Sequence, residues 1–199
     1  MTPIPTIACD IGNVIINADH EITYQVLVRA GVASKNAKTF FENNEYQEFS
    51  RGRMSAADFC KALNKKYLRS SLSDVILEEA HNQHMTKVNW DVLNVLKGTP
   101  HTHLLFLTDT NLWQTQREQQ LIDLKKYSQT IIRSHEIHML KSDNEYFARM
   151  SHMTGLSLQN FVLIDDNQRI LQIAQGEGLQ TVPFTTAQEL SSQLHAILT

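Results

Sequence analysis

The chain has 199 residues, of which 42% are hydrophobic and 20% are charged, and its formal net charge is −3. This length suits one domain, or a core with a modest insert, and the apolar fraction is sufficient for a buried core. The weak negative charge offers no basic surface for nucleic acid or a membrane, and no apolar stretch approaches the ~20 residues that span a bilayer. No signal peptide is recognisable, and the two cysteines match neither a disulfide framework nor a metal pattern. We therefore expect a cytoplasmic protein that binds neither nucleic acid nor membranes.

The first predicted element is a strand over residues 6–10, a continuous apolar run. Residues 19–87 then read as helix throughout. The helical segments are residues 22–31, 36–44, 55–68 and 73–85. We expect residues 19–87 to form an all-helical cap, inserted after the first strand of a core made of residues 1–18 and 88–199.

The later elements alternate between strand and helix. Further strands are predicted at residues 103–109, 130–134, 161–166 and 181–184. Helices are predicted at residues 88–98 and 144–155, each ending in a glycine, and from Thr186 onwards. Continuous apolarity in the strands is typical of a parallel sheet covered on both faces. The sequence therefore predicts an α/β fold with a doubly wound, Rossmann-like parallel sheet.

Acidic or hydroxyl side chains end three of the predicted strands. Asp10 ends the first, Thr108 and Asp109 end the second, and Asp165 and Asp166 end the fourth. A single such residue is more often the cap of the next helix. In a parallel sheet, however, the carboxyl ends of the strands converge on the crevice where open α/β folds bind ligands. The three endings together predict a site at this edge.

Phosphoryl transfer through an aspartate requires this set of groups. Asp10 could act as the nucleophile and form an acyl-phosphate. The neighbouring carboxylates would repel the phosphate unless a hard cation such as Mg²⁺ lay between them. Thr108 and Lys141 would donate to the phosphoryl oxygens as charge develops on them.

The order of these motifs resembles that of the haloacid dehalogenase-like (HAD) superfamily. The resemblance covers essentially the whole chain and is closest to the branch with bacterial sugar-phosphate phosphatases and the N-terminal phosphatase domain of soluble epoxide hydrolases. The four motifs in order are "DIGNVI", "FLTDTN", "KSDNEYF" and "LIDDN", and the cap stretch is "FSRGRMSAADF". The resemblance implies a Mg²⁺-dependent hydrolase, a phosphatase for a small phosphorylated metabolite that acts through an aspartyl-phosphate.

Position by position, the resemblance also implies roles for the site residues. Asp10, the Gly12 carbonyl and Asp166 would hold Mg²⁺, with Asp165 beside them, acting through water. Asp10, Thr108 and Lys141 would be catalytic. Gly12, Asn13 and Asp109 would line the substrate side, together with Arg51 and Arg53 of the insert, for which two solvated arginines are an equal alternative. The pair Asp165 and Asp166 resembles a metal site, which argues against a metal-free dehalogenase. A response-regulator receiver has its acid pair early and its phosphoacceptor aspartate in mid-chain, whereas the order is inverted here.

Four positions depart from the family pattern. Gly12 replaces a second aspartate that serves as general acid and base, and Asp109 replaces an asparagine. Ser142 replaces a proline, and Ile170 replaces a polar residue that supports the metal. A carboxylate at residue 109 would have to face away from the phosphate or keep its proton, unless phosphate is not the natural ligand. The alternative is therefore a catalytically degenerate HAD-fold module with a binding or regulatory role.

Two histidine pairs could in principle chelate a transition metal. They lack a cysteine or a third positioned ligand, so we expect both pairs on exposed surfaces. The pairs are His81 with His84, and His101 with His103.

Overall fold

The computed structural model describes residues 5–101 and 103–198; residues 1–4, 102 and 199 of the predicted core lie outside the described residues. The strands are β1 (Thr6–Asp10), β2 (Ile16–Ala18), β3 (Met85–Val88), β4 (Leu104–Thr108), β5 (Thr130–Arg133), β6 (Phe161–Asp165) and β7 (Gln180–Pro183). The α-helices are α1 (His20–Arg29), α2 (Ser34–Ala37), α3 (Asn44–Ser50), α4 (Ala56–Ala62), α5 (Asp74–Asn82), α6 (Trp90–Gly98), α7 (Leu112–Leu121), α8 (Ser134–Ile137), α9 (Tyr146–Thr154), α10 (Gln168–Gly176) and α11 (Ala187–Leu198). A π-helical segment, Leu63–Leu68, continues α4, and 3₁₀ turns cover Leu124–Lys126 and Leu158–Asn160. No helix in the described residues is long and apolar enough to cross a bilayer.

Five strands form one parallel sheet in the order β5-β4-β1-β6-β7. In the central strand, Cys9 is in register with Phe106 of β4 and Ile164 of β6. After β1, the chain adds β4 and β5 on one side of it and then β6 and β7 on the other. The carboxyl end of β1 is therefore the topological switch point. The predicted α/β fold and its five strands are confirmed.

Both faces of the sheet are buried beneath helices. Side chains of β1 alternate between two apolar clusters: Ile7 and Cys9 pack with α6 and α11, and Ala8 packs with α9 and α10. This double coverage explains why the strands are apolar along their whole length.

The helices α1 to α5 lie between β2 and β3, which pair antiparallel. They share a third apolar cluster rich in aromatic rings, including Phe40, Phe49 and Phe59, which is joined by Trp113 of α7. The domain boundaries given above remain predictions.

Two parts of the helical prediction are wrong. Residues 85–87 are not helical, because Met85–Val88 pairs with β2 and forms the return connection from the insert. Residues 36–44 are largely non-helical, because Asn43 ends that stretch and caps the next helix. Its side chain donates to Thr39 O and Phe40 O and accepts from Tyr46 N.

Candidate active site

A buried lysine joins two of the strand-end carboxylates. Lys141 Nζ donates to Asp10 Oδ1 at 2.8 Å and to Asp165 Oδ2 at 2.6 Å. Asp10 ends β1 and Asp165 ends the adjacent β6, so the parallel register itself brings the two carboxylates together. The second oxygen of Asp165 accepts from the Asn167 amide at 2.8 Å. Both oxygens of Asp165 are thus occupied, whereas Asp10 has one oxygen, Oδ2, that the lysine does not engage.

The third carboxylate completes a cluster with the first two. One carboxylate oxygen from each of Asp10, Asp165 and Asp166 lies within 4.8 Å of the others. Asp166 is the exposed member. It is hydrogen-bonded by Asn13, whose backbone is left-handed with φ 54° and whose Oδ1 accepts from Ala18 N at 2.9 Å. Asparagine tolerates this conformation better than most residues, so it fits a tight turn that must also carry a donor.

Burial and mutual repulsion control protonation in this cluster. Burial raises the pKa of Asp10 to about 7, and Lys141 opposes this shift while Asp165 adds to it. Burial and then Asp165 raise the pKa of Asp166. Burial acts to lower the pKa of Lys141, but Asp10 and Asp165 outweigh it and raise that pKa well above its usual value. The lysine therefore stays charged in a site with excess negative charge.

Asp109 is turned towards the loop that carries the lysine. Its Oδ1 accepts from the backbone amide of Lys141 at 2.8 Å. Burial raises the pKa of Asp109, with Lys141 opposing the shift. One oxygen of this carboxylate, Oδ1, is therefore committed to the loop that carries Lys141 rather than to a ligand.

Thr108 and Gly12 are two further predicted site residues near the end of β1. Thr108 ends β4, next to β1, and is buried. Gly12 has no positive φ, and a Cβ added there would lie 3.9 Å from Asp10 Oδ2, an ordinary van der Waals contact. The backbone at residue 12 therefore has room for a side chain beside the free oxygen of Asp10.

Arg51 and Arg53 of the insert are engaged with the core rather than with the carboxylate cluster. Arg51 Nε and Nη2 donate to the two carboxylate oxygens of Asp143 at 2.8 and 2.5 Å. Arg53 Nη2 donates to the carbonyl oxygen of His138 at 2.8 Å. The expectation that these arginines hold substrate is untested, and in this arrangement their donors already have protein partners.

The prediction for one histidine pair is wrong. His81 and His84 are fully buried among the rings of the insert, where His81 lies 5.3 Å from Trp113 and His84 lies 5.2 Å from Phe41, between ring centroids. Burial lowers the pKa of His84 to about 4, so it is neutral. In the other pair, His103 is exposed and His101 is half-buried.

Sequence reasoning missed the residues that connect the insert to the core. Asp143 and Ser134 lie within stretches that were recognised as a motif and a strand, but no local pattern reveals a partner about 90 residues away. One departure has a structural explanation: Ile170 packs in the core cluster beneath the sheet, so that position offers no polar group to a metal.

The architecture and this site define a class: a doubly wound α/β protein with a helical insert after the first strand and an aspartate at the switch point. No match was found among protein-family models or curated protein sequences. Solved structures do match. The HAD family enzyme BT-2542 from Bacteroides thetaiotaomicron, in complex with magnesium and inorganic phosphate, aligns with a TM-score of 0.81 and 20% identity over 92% of this chain and 94% of that chain.

Two further structures extend the likeness. A predicted HAD-like family hydrolase from Porphyromonas gingivalis aligns with a TM-score of 0.83 and 17% identity over 98% of both chains. The L-2-haloacid dehalogenase from Xanthobacter autotrophicus aligns with a TM-score of 0.66 and 12% identity over 97% of this chain and 83% of that chain. The chain has the haloacid dehalogenase-like fold, as its motifs predicted.

Proposed function

We propose that this protein is a Mg²⁺-dependent phosphatase of the HAD type, which acts on a small phosphorylated metabolite through an aspartyl-phosphate. The observation that carries the proposal is the carboxylate of Asp10, held by Lys141 at 2.8 Å and left with one oxygen free at the switch point. A carboxylate so placed can serve as a nucleophile.

The donor set fits a hard divalent cation. Three carboxylates and one ammonium leave two negative charges unbalanced, and oxygen ligands are those that Mg²⁺ prefers. Asp10, Asp166 and the Gly12 carbonyl would hold the ion. Asp165 would act indirectly, since both its oxygens already accept from protein donors. The bound ion would neutralise the repulsion between these carboxylates and a phosphate.

The chain's own residues account for the remaining chemistry. Asp10 Oδ2 would attack phosphorus, forming the new O–P bond as the bond to the leaving group breaks. Lys141 would stay protonated, orient the Asp10 carboxylate and donate towards the phosphoryl oxygens. Thr108 would add a hydroxyl donor as charge develops there. Water would then hydrolyse the acyl-phosphate and regenerate Asp10.

The comparison with BT-2542 supports this proposal, because that protein was crystallised with both magnesium and inorganic phosphate. One set of observations favours the second candidate, a degenerate binding or regulatory module. Gly12 brings no acid to the site, and Ile170 is apolar and buried. This second candidate predicts binding of phosphate or its analogues without turnover.

Phosphate release from a panel of small phosphate monoesters, with and without Mg²⁺, tests the proposal. We expect Mg²⁺-dependent release. We also expect Asp166→Asn to weaken Mg²⁺ binding by about 100-fold or more, because it removes the negative charge of a direct ligand. Asp165→Asn should weaken it by about 10-fold, a typical effect of an indirect partner.

Titration calorimetry with Mg²⁺ measures these affinities directly. Equal Mg²⁺ affinity in the wild type and Asp166→Asn would show that the metal site is misassigned. Tight Mg²⁺ binding without phosphate release from any ester would favour the degenerate module.

Asp109 offers a separate prediction about the anion. Asp109→Asn keeps an oxygen for the Lys141 amide and removes one negative charge. We expect vanadate to bind roughly 5- to 150-fold more tightly, the factor given by ~1–3 kcal/mol of relieved repulsion. The control Asp109→Ala removes the acceptor and should destabilise the fold by ~1–3 kcal/mol, because a largely buried amide loses its partner. Vanadate titration and urea unfolding measure both effects, and weaker vanadate binding by Asp109→Asn would contradict this interpretation.

A further inference from the structure

We propose that residues 50–53 of the insert, which begin at the last residue of α3 and are here called the strut loop, position two loops of the core: the one that carries Lys141 and the one that follows Thr108. Arg51 and Asp143 are the positioning residues in this arrangement. The consequence for catalysis rests on the proposed phosphatase function, whereas the mechanical part stands on contacts alone. Three groups of contacts carry the inference.

The first group of contacts joins the strut loop to the loop that carries Lys141. Arg51 makes a two-pronged ion pair with Asp143, in which Nε and Nη2 each donate to a different carboxylate oxygen. Asp143 Oδ2 also accepts from the Leu140 amide at 2.9 Å, and Lys141 is the next residue. Such planar pairs fix orientation as well as distance. The guanidinium therefore holds the carboxylate of Asp143, which in turn closes the turn that contains Lys141.

The second group of contacts joins the strut loop to the loop that follows Thr108. Ser134 is fully buried, and its Oγ lies 2.7 Å from the carbonyl oxygen of Ser50 and 2.8 Å from that of Thr110. The same Oγ accepts from the Thr110 amide at 2.8 Å. One hydroxyl thus connects the strut loop to the chain two residues beyond Thr108.

The third group fixes the depth at which the strut loop rests on the core. Gly52 has φ 65°, and a Cβ there would lie 2.2 Å from the carbonyl oxygen of His135. Only glycine permits so close a backbone approach in this conformation. On either side, His138 Nδ1 lies 2.9 Å from Arg51 O, and Arg53 donates to His138 O. The insert is therefore anchored on this side of the site.

A substrate-binding role for Arg51 is the competing interpretation. Its side chain is only 14% exposed, and Glu48 lies against Nη1 at 3.1 Å in addition to Asp143. With its donors engaged by two carboxylates, Arg51 presents little charge to an incoming anion. Positioning predicts an effect on the geometry of Lys141, whereas substrate binding predicts an effect on KM.

Amide hydrogen exchange tests the mechanical part without any assay of activity. The variants are Arg51→Met and Asp143→Asn, and the control is Arg29→Met, which changes an exposed arginine in α1 of the same insert. We expect exchange of the Leu140 and Lys141 amides to accelerate about 10-fold or more in both variants, with no change in the control. Arg51→Lys keeps the charge but loses the two-pronged geometry, so we expect an intermediate rate. Unchanged exchange in Arg51→Met overturns the inference.

Steady-state kinetics with an aryl phosphate and Mg²⁺ separate the two roles. We expect Arg51→Met and Asp143→Asn to lower kcat by about 10- to 100-fold with KM little changed, because misplaced groups lose transition-state contacts. The double variant should be no worse than the more severe single variant, because the pair acts as a unit. A rise in KM confined to Arg51→Met would overturn the inference and establish substrate binding. If the wild type shows no turnover, the proposed function fails, and the exchange rates still decide whether the loop positions Lys141.

Discussion

Replacement of Asp10 by asparagine is expected to abolish phosphatase turnover, lowering kcat by about 10⁴-fold or more, the scale on which removal of a nucleophile acts in enzymes that form covalent intermediates. An amide cannot form the acyl-phosphate, although it keeps the shape of the side chain. Phosphate release measures the loss. Intact-mass spectrometry of the quenched reaction should detect a phosphorylated species in the wild type and none in Asp10→Asn. Mg²⁺-dependent turnover that persists in this variant would contradict the assignment of the nucleophile.

The same variant also has a predicted effect on stability that requires no substrate. The pKa of Asp10 is raised by burial to about 7 in the folded protein, against 3.8 ordinarily. The folded state therefore holds a proton that the unfolded state releases. The resulting stability is present below pH 4 and is lost as the pH rises through 7. Each tenfold difference in proton affinity between the folded and unfolded states is worth ~1.4 kcal/mol.

Without Mg²⁺, Asp10→Asn should thus unfold at a higher temperature than the wild type at pH 8, with little difference at pH 4. Thermal unfolding at the two pH values checks this. An identical pH dependence in both proteins would show that Asp10 is not the destabilised carboxylate that its burial indicates.

Introduction of an acid at residue 12 is expected to increase activity. Wild-type turnover should depend steeply on the leaving group, with p-nitrophenyl phosphate cleaved far faster than alkyl phosphates, because Gly12 supplies no proton. Gly12→Asp places a carboxyl beside the free oxygen of Asp10, where a Cβ meets no steric obstacle. We expect kcat for alkyl phosphates to rise by about 10²- to 10⁴-fold, the usual contribution of general acid–base catalysis.

Gly12→Asn is the matched control, since it has the same shape and no acidic proton. It should leave the dependence on the leaving group as steep as in the wild type. A leaving-group series, assayed with all three proteins, measures the slope. A flat series in the wild type would mean that another group, or the substrate itself, already supplies the proton.

Much of the core could be predicted from the sequence because its signals are local. A strand buried on both faces is apolar along its length, and a carboxylate at its end is visible in the chain. Asp10 and Asp165 were therefore assigned to one site as strand ends, and Lys141 was added to it because its motif resembles the third motif of the HAD superfamily. The structure brings these three residues into contact. The roles of these residues in catalysis remain predictions.

The partners across the fold could not be predicted in this way. For Arg51, substrate binding and a solvated surface position were equal alternatives, because the charge of a side chain is visible in the sequence. Its pairing with Asp143, 92 residues away, is not visible there. His81 and His84 were expected at the surface because the sequence shows neither a cysteine nor a third positioned ligand that would make them a metal site. The aromatic cluster that covers them depends on how five helices pack. Asp109 was recognised as unusual, but its partner is a backbone amide, which has no signature in the sequence.

The central position of β1 affects the order in which the molecule assembles during synthesis. The strands on either side of β1 begin far along the chain, at Leu104 and Phe161. The helices α1 to α5 leave the ribosome before either partner strand, and apart from Trp113 the residues of their apolar cluster lie between 24 and 80. Since pairing between distant segments must overcome a large loss of chain entropy, the insert is expected to pack first. The ion pair between Asp10 and Lys141 can therefore form only after Lys141, 131 residues further along the chain, has been synthesised.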